Sequence, residues 1–179
     1  MGGYMPAPAT ERRPFSEKKF GEETLAIWEK TALPEDAVVT HVTLLPYRGE
    51  RAVLSWSDGR LGLPDGEVAK GETVDAAVKR IALEQAGILD PTATWLGHFR
   101  CRATIYSVEP PPGTITYRAL YGVDVAGLAD FPSGEGFERR IVMQRDLLVV
   151  IRERYNTYAR EYTEALDRFI LDRAKRGAQ

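Results

Sequence analysis

Three charged side chains around one short segment are the residues of this sequence best suited to chemistry. Arg80 and Glu84 are four residues apart, so on a helix they lie on the same face, one turn from each other. Glu72 precedes them in a compact loop that contains two glycines. Carboxylate oxygens are the hard ligands that Mg²⁺ requires, and the ion usually takes a few of them together with phosphate oxygens and water. The carboxylates of this segment are therefore candidate ligands for such a cation.

The residues at the two ends of this segment predict where its helix begins and ends. The hydroxyl of Thr73 is suited to capping the first backbone N–H groups, and Asp75 places a negative charge in the first turn. Gly87 can adopt the left-handed conformation that commonly ends a helix. We predict a helix over residues 73–86, entered from a loop over residues 66–72.

The whole segment, residues 66–88, resembles the Nudix box, G-x5-E-x7-R-E-U-x-E-E-x-G-U, in which U is a bulky aliphatic residue. Ala82 is a small occupant of an aliphatic position, and Ile81 and Gln85 stand where the box has glutamates. The positions that match are Gly66, Glu72, Arg80, Glu84, Gly87 and Ile88.

The resemblance implies a loop-helix-loop that holds Mg²⁺ or Mn²⁺ against the diphosphate of a substrate. In the family, three glutamates at the positions of Ile81, Glu84 and Gln85 hold the metal, and the residue matching Glu72 bonds the one matching Arg80 to brace the loop. Here Glu84 is the one remaining carboxylate and the catalytic candidate, and Gln85 offers only a neutral carbonyl oxygen. We therefore expect Mg²⁺ or Mn²⁺ binding to be weak or absent.

Acidic residues outside the box are the alternative source of metal ligands. Family members also recruit carboxylates from other loops, and Glu135 and Glu138 are the best placed in chain order, with Glu67 a further candidate. Their simpler interpretation is that they are solvated loop charges. Ile81 likewise has a simpler interpretation, because it shares an apolar stripe with Val78 and can pack where a metal would otherwise sit.

Basic residues in the strand-like runs are the other candidates for ligand binding. Arg100, Arg102 and Arg118 alternate along strands, so some of them can line a groove and bind phosphate, although surface charge is the commoner fate. His41 and His98 have no neighbouring Cys or His at metal-ligand spacing and are interpreted as structural histidines.

Composition excludes several classes of partner. The formal net charge is −2, which gives no reason to expect binding to nucleic acid or to an anionic membrane. No apolar stretch is long enough to cross a bilayer. The one cysteine, Cys101, is interpreted as a small buried hydrophobe in a reducing compartment, so we expect a cytoplasmic protein.

The order of elements predicts an α/β fold, an α/β/α sandwich around a mixed sheet, and this order is also what the Nudix resemblance implies. The predicted strands cover residues 38–45, 50–56, 94–108 and 114–125. We divide the chain into a mobile arm over 1–16, an N-terminal helix over 17–36, a Nudix-like domain over 37–150 and a long C-terminal helical extension over 151–179.

Apolar and aromatic residues near the end of the chain alternate steps of three and four, which predicts one long helix with a heptad seam. The seam consists of Leu148, Ile151, Tyr155, Tyr158, Tyr162, Ala165 and Phe169. Two partners for it remain open: the predicted helix over 17–36 of the same chain, or the same helix of a second copy. We favour the homodimer.

Three functions follow from these observations. The favoured one is a Nudix-family protein that binds a nucleoside diphosphate-type ligand, with metal-dependent hydrolysis impaired or lost. The second is an active Nudix pyrophosphohydrolase, acting on a nucleoside diphosphate linked to another group, that uses Glu84 and a carboxylate from outside the box. The third is an assembly module with a vestigial cleft.

Overall fold

A computed structural model of the protein describes residues 14–177, in which eleven strands and three helices follow one another. Most of the predicted N-terminal arm, residues 1–13, lies outside the described residues. The strands are β1 (Lys18–Phe20), β2 (Thr24–Glu29), β3 (Val39–Arg48), β4 (Arg51–Ser57), β5 (Arg60–Gly62), β6 (Asp65–Glu67), β7 (Ile88–Leu89), β8 (Thr92–Ala103), β9 (Ile115–Asp124), β10 (Gly127–Leu128) and β11 (Glu138–Met143). The helices are α1 (Val74–Ala86), α2 (Gln144–Arg154) and α3 (Ala159–Gly177).

Nine of the strands form one mixed sheet. Its main path runs β1-β2-β8-β9-β3-β4-β11, with β5 paired to β4 and β6 paired to β3. Strands β3 and β9 are parallel, and every other pairing in this sheet is antiparallel. Strands β7 and β10 form a separate small ladder beside it.

Helices cover both faces of the sheet, which confirms the predicted α/β/α sandwich. On one face, α1 packs its small and aliphatic side chains on alternate residues of β3 and β4, including Val42, Leu44 and Val53. On the other face, α2 and α3 cover a more aromatic cluster that includes Trp28 and Phe99. No helix within residues 14–177 combines the length and the apolar content that crossing a membrane requires.

The N-terminal helix predicted over residues 17–36 is wrong, because this segment forms the hairpin of β1 and β2. Residues Thr24–Glu29 pair antiparallel with β8, and Ala26 and Trp28 point into the core while their neighbours stay partly exposed. This period of two is the strand pattern. The hairpin extends the same sheet that residues 37–150 form, so residues 18–29 belong to the same domain.

The long C-terminal helix is present but is interrupted at Tyr155. The backbone of Tyr155 leaves the helical region, and a single 3-10 turn (Asn156–Tyr158) separates α2 from α3. The Tyr155 hydroxyl accepts a hydrogen bond from the backbone N–H of Leu63 at 3.0 Å, which fixes this break on the sheet. Burial of the phenol raises the pKa of Tyr155 to about 12.

The predicted seam packs within the chain, on the sheet itself. Ile151, Tyr162, Ala165 and Phe169 are buried there, and Phe20 and Trp28 of the hairpin complete the aromatic cluster. The seam thus packs on the β1–β2 hairpin, whereas the sequence predicts that it packs on a helix or on a second copy. The seam therefore gives no surface for the predicted homodimer.

Candidate functional site

The segment with the box residues folds as a loop followed by α1, with the predicted helix ends. The Thr73 hydroxyl accepts a hydrogen bond from the N–H of Ala76 at 3.1 Å. At the other end, Gly87 has a φ of 62°, and its N–H donates to carbonyl oxygens of the last turn. The helix predicted over residues 73–86 is therefore confirmed.

Glu72 and Arg80 form the brace of this loop. The guanidinium donates two hydrogen bonds to the carboxylate, Nε to Oε2 at 2.8 Å and Nη2 to Oε1 at 2.9 Å. Nη2 also donates to the carbonyl oxygen of Glu67, and the Ala69 N–H donates to the carboxylate, both within the loop. The bonds from Arg80 and then from Ala69 lower the pKa of Glu72 to about 2, and the Glu72 carboxylate raises the pKa of Arg80.

Glu84 lies one turn along the helix and contacts the same guanidinium. Nη1 of Arg80 is 3.3 Å from Oε2 of Glu84, which makes this contact longer and weaker than the brace. The Glu84 side chain is 42% exposed. Glu84 is therefore an accessible carboxylate on the box helix.

Ile81 occupies the first of the two replaced positions and is fully buried. Its side chain belongs to the cluster between α1 and the sheet. A Cβ atom added to Gly66 would lie 3.1 Å from Cδ1 of Ile81, so the isoleucine packs directly against the backbone of β6. The helix position that would supply a carboxylate supplies packing instead.

Gln85 occupies the second replaced position, and both ends of its amide bind the backbone of Asp65. The Asp65 N–H donates to Oε1 at 3.0 Å, and Nε2 donates to the Asp65 carbonyl oxygen at 2.6 Å. Only an amide can donate and accept in this way, since an ionised carboxylate has no donor. Gln85 therefore fastens α1 to β6 through an interaction that glutamate would lose.

The residues present do not fit a Mg²⁺ or Mn²⁺ ion of the family type. Within residues 14–177, no three His, Cys, Asp or Glu side chains lie close enough together to hold a metal. Of the three box positions, Glu84 alone offers a carboxylate, while Ile81 lies in the core and Gln85 is engaged by the backbone. A single carboxylate leaves most of the octahedral shell of Mg²⁺ to water.

The loop over residues 131–137 lies beside the C-terminal end of α1. The Ser133 and Gly134 N–H groups donate to the carbonyl oxygens of Leu83 and Glu84. The Glu138 carboxylate, however, pairs with Arg140 at 2.7 Å, and both side chains are largely exposed. The structure thus brings the loop close to α1, but it does not join Glu135 and Glu138 with Glu84 in a metal cluster.

A groove of about 650 Å³ runs along the box loop. One wall is residues 37–41, which lead into β3, and the other is residues 67–74, which include Lys70 and the first residue of α1. Its volume lies within the range of small-molecule sites. Lys70 was not singled out by sequence reasoning, because nothing distinguishes one loop lysine from another before the loop is folded.

A smaller pocket of about 50 Å³ adjoins this groove at His41, on the face covered by α2 and α3. Burial and then the charge of Arg118 lower the pKa of His41, against the opposing effect of Glu67. The pocket is lined by Phe20, Trp28, His41, Thr43, Asp65, Phe99, Arg118, Ala119, Leu120, Tyr158 and Tyr162.

Of the three arginines considered as candidate phosphate ligands, Arg118 alone lines this pocket. Its guanidinium lies over the Phe20 ring, 5.4 Å from the centroid, and no acidic side chain among residues 14–177 forms an ion pair with it. Arg100 binds Glu29 at 2.8 Å and Arg102 lies near Glu17, so both are engaged as surface pairs.

The two histidines and the cysteine have different surroundings. His98 is buried, with its ring against Trp95 and Tyr117, which agrees with a structural role. Cys101 is buried, and burial raises the pKa of its thiol, as expected for a structural cysteine. His41 is the histidine that reaches a cavity.

Comparison with known proteins identifies this architecture. No protein-family model and no curated protein matches the chain. Among solved structures, a mutant of the Bacillus subtilis pyrophosphohydrolase BsRppH is similar over 70% of this chain and 77% of that chain, with 18% identity and a TM-score of 0.53. The NUDIX domain of Shewanella oneidensis NrtR, complexed with ADP ribose, is similar over 75% of this chain and 90% of that chain, with 14% identity and a TM-score of 0.54. This chain has the Nudix fold, as the resemblance of its box predicted.

Proposed function

We propose that this protein binds a nucleotide-linked diphosphate in the groove beside the box loop and that its metal-dependent hydrolysis is impaired or lost. The observation that carries the proposal is the pair of hydrogen bonds between the Gln85 side chain and the backbone of Asp65. The Gln85 amide is bound at both ends by the backbone of Asp65, so the position serves the fold. With Ile81 in the core as well, two of the three metal-binding positions have acquired structural contacts.

The groove supports the binding half of the proposal. Its volume of about 650 Å³ is sufficient for a nucleotide-sized ligand. The box loop that forms one wall is held rigidly by Glu72 and Arg80, so little conformational entropy would be lost on binding. The NrtR domain, which shares the fold, was solved with ADP ribose, and that ligand is a nucleoside diphosphate linked to a sugar, which makes it suited to a first test.

Arg118 and Lys70 are the proposed contacts to the anionic part of the ligand. Lys70 lines the groove directly. Arg118 lies in the adjoining pocket with His41 and Asp65, and within residues 14–177 its guanidinium forms no direct ion pair. A hydrogen bond to a charged group contributes about 1.5–3 kcal/mol, which corresponds to about tenfold to hundredfold in affinity.

The binding test is calorimetry with ADP-ribose, performed once with excess Mg²⁺ and once with EDTA. We expect binding in both conditions and a loss of about tenfold or more for Arg118→Met. The matched control is Arg100→Met, which removes the same charge from the opposite face of the sheet. Equal losses for the two variants, or binding that requires Mg²⁺, would contradict the proposal.

The hydrolysis test is a panel of nucleoside diphosphate derivatives with Mg²⁺ or Mn²⁺, followed by phosphorus NMR. We expect turnover far below the usual enzymatic range of about 1–10³ per second. Glu84→Gln is the control, because an active pyrophosphohydrolase that used Glu84 would lose its turnover in that variant. Ordinary rates in the wild type that fall with Glu84→Gln would establish the active-enzyme alternative instead.

A further inference from the structure

Strand β11 is an open edge of the sheet. It pairs with β4 on one side, and within residues 14–177 no strand pairs with its other side. An edge of this kind presents a row of backbone donors and acceptors on which another strand can pair. The opposite edge differs, because there the sheet ends in the three residues of β1.

Large apolar side chains are exposed around this edge. Phe131 is 80% exposed and Ile141 is 45% exposed, and Leu83 and Met143 also reach solvent. The Ser133 N–H donates to the Leu83 carbonyl oxygen, so the loop over residues 131–137 lies against Leu83, and this loop continues directly into β11, which carries Ile141 and Met143. An exposed apolar patch beside an unpaired strand indicates an interaction surface.

The residues of β11 are divided between the two faces of the sheet. Ile141 lies opposite Val53, which packs under α1, so Ile141 points to the α1 face. Glu138 and Arg140 lie opposite Trp56 and Leu54 and point to the face of α2 and α3. Arg140 also lies over the Trp56 ring, 5.6 Å from its centroid.

We propose that β11 pairs antiparallel with β11 of a second copy of this chain, forming a continuous sheet across a two-fold axis. An axis perpendicular to the sheet keeps the α1 face of both copies on the same side. Each residue must therefore lie opposite a residue of the same face, which permits only registers centred on a residue. Among these, the register centred on Arg139 places Glu138 opposite Arg140 of the second copy, and Arg140 opposite Glu138.

This register is self-complementary in charge. The Glu138–Arg140 pair lies within one chain at 2.7 Å in the single copy, and the two such pairs of two copies can be replaced by two equivalent pairs between the strands. Arg139 on the axis points to the other face, where its guanidinium already donates to the carbonyl oxygens of Ala86 and Ala129. The two Arg139 charges are thus held by the C-terminal end of α1 and its adjoining loop.

The exposed apolar residues fit the same partner. On the α1 face, the two-fold axis brings Phe131 and Ile141 of one copy toward the same patch of the other. A two-fold interface buries one patch against itself, so a single apolar patch beside the axis is sufficient. An unrelated partner strand would not require the spacing of Glu138 and Arg140.

The test is the oligomeric state, measured by sedimentation over the micromolar range. We expect a dimer for the wild type. Glu138→Arg sets like charges opposite each other twice across the axis and should raise the dimer dissociation constant by about tenfold or more. The double variant Glu138→Arg with Arg140→Glu exchanges the charges and should restore the wild-type constant.

Two controls keep the result specific to this edge. Glu23→Arg makes the same change in charge in the turn between β1 and β2, at the other end of the strand order, and it should leave the dimer unchanged. Thermal unfolding of each variant shows whether the fold is intact. A wild-type monomer throughout the range, or a dimer that Glu138→Arg leaves unchanged, would overturn the proposal. Failure of the double variant to restore the dimer would overturn the register.

Discussion

Two pairs of residues in the box contribute in different ways to the structure. We call Glu72 and Arg80 the loop half, because they hold the loop, and Ile81 and Gln85 the helix half. In the loop half, Glu72 and Arg80 form the bidentate pair that holds the loop against α1. In the helix half, Ile81 and Gln85 stand where the box has glutamates, and both side chains contact β6. The loop half thus contributes a charged pair, and the helix half contributes contacts of neutral side chains with the sheet.

The contacts of Ile81 and Gln85 also show that these neutral side chains have structural roles of their own. A carboxylate changed at random to a neutral residue would leave a gap or an unsatisfied neighbour. Here Ile81 fills the space against Gly66, and the amide of Gln85 satisfies both backbone groups of Asp65. The helix half therefore contributes to stability, and restoring its carboxylates should carry a cost.

The largest effect should come from Ile81→Glu. This side chain is fully buried, so the new carboxylate would have no partner and should lower the free energy of unfolding by about 3–5 kcal/mol. Urea unfolding followed by circular dichroism measures it, and Ile81→Met, which conserves volume, should cost less than about 1.5 kcal/mol. A variant that kept full stability and gained Mn²⁺ binding would show that the helix half still forms a metal site.

Gln85→Glu should have the next largest effect. The change removes the donor to the Asp65 carbonyl oxygen and turns a carboxylate oxygen toward it, at a cost of about 1–3 kcal/mol. Chemical denaturation gives this value directly. Glu84→Gln is the neighbouring control and should change stability little, because it loses one 3.3 Å contact at a partly exposed site. Equal midpoints for the wild type and Gln85→Glu would refute the fastening role.

The contribution of the loop half to the free energy of unfolding should depend on pH. Because hydrogen bonds from Arg80 hold the pKa of Glu72 at about 2, below its ordinary value of 4.5, this carboxylate stabilises the folded state above about pH 4.5. The contribution should be lost as the pH falls through 2. Unfolding free energies of the wild type and Glu72→Gln should therefore converge toward low pH. Curves that stay parallel from pH 7 to pH 2 would exclude the brace as a source of stability.

The smallest effect should come from the cap that joins the two halves. Thr73→Ala removes the acceptor for the Ala76 N–H and should cost about 1 kcal/mol. Thr73→Ser keeps the hydroxyl and should retain most of the stability. Thermal unfolding compares the two, and a Thr73→Ala melting temperature equal to that of the wild type would show that the loop fixes the helix start without the cap.

Signals that act over a few residues allowed the box to be predicted from the sequence. The cap at Thr73, the stop at Gly87 and the spacing of Arg80 and Glu84 are local, so α1 and its loop follow from them. The sequence also shows that Ile81 and Gln85 stand where the box has glutamates. It does not show their contacts, because Gly66 and Asp65 approach α1 only after β6 has paired with β3.

Elements that depend on distant partners were predicted poorly. The apolar residues of the β1–β2 hairpin can also be placed on one helical stripe, so the sequence predicts a helix there, whereas the strand character of the segment depends on pairing with β8. The heptad seam was real, but Tyr155 interrupts it to reach Leu63, a contact that no periodicity contains. Arg118 became distinct from Arg100 only when the sheet placed them on opposite faces.

The two ion pairs between the hairpin and α3 decide how this protein can be shortened. Lys18 binds the buried carboxylate of Glu161 at 2.7 Å, and Lys30 binds Glu164 at 2.6 Å. An expression fragment that started at residue 37 would contain the whole box, yet it would remove both lysines and leave α3 facing an absent strand. Such a fragment should aggregate or require rescue by a separate peptide carrying the missing hairpin, so the usable N-terminal boundary lies before Lys18.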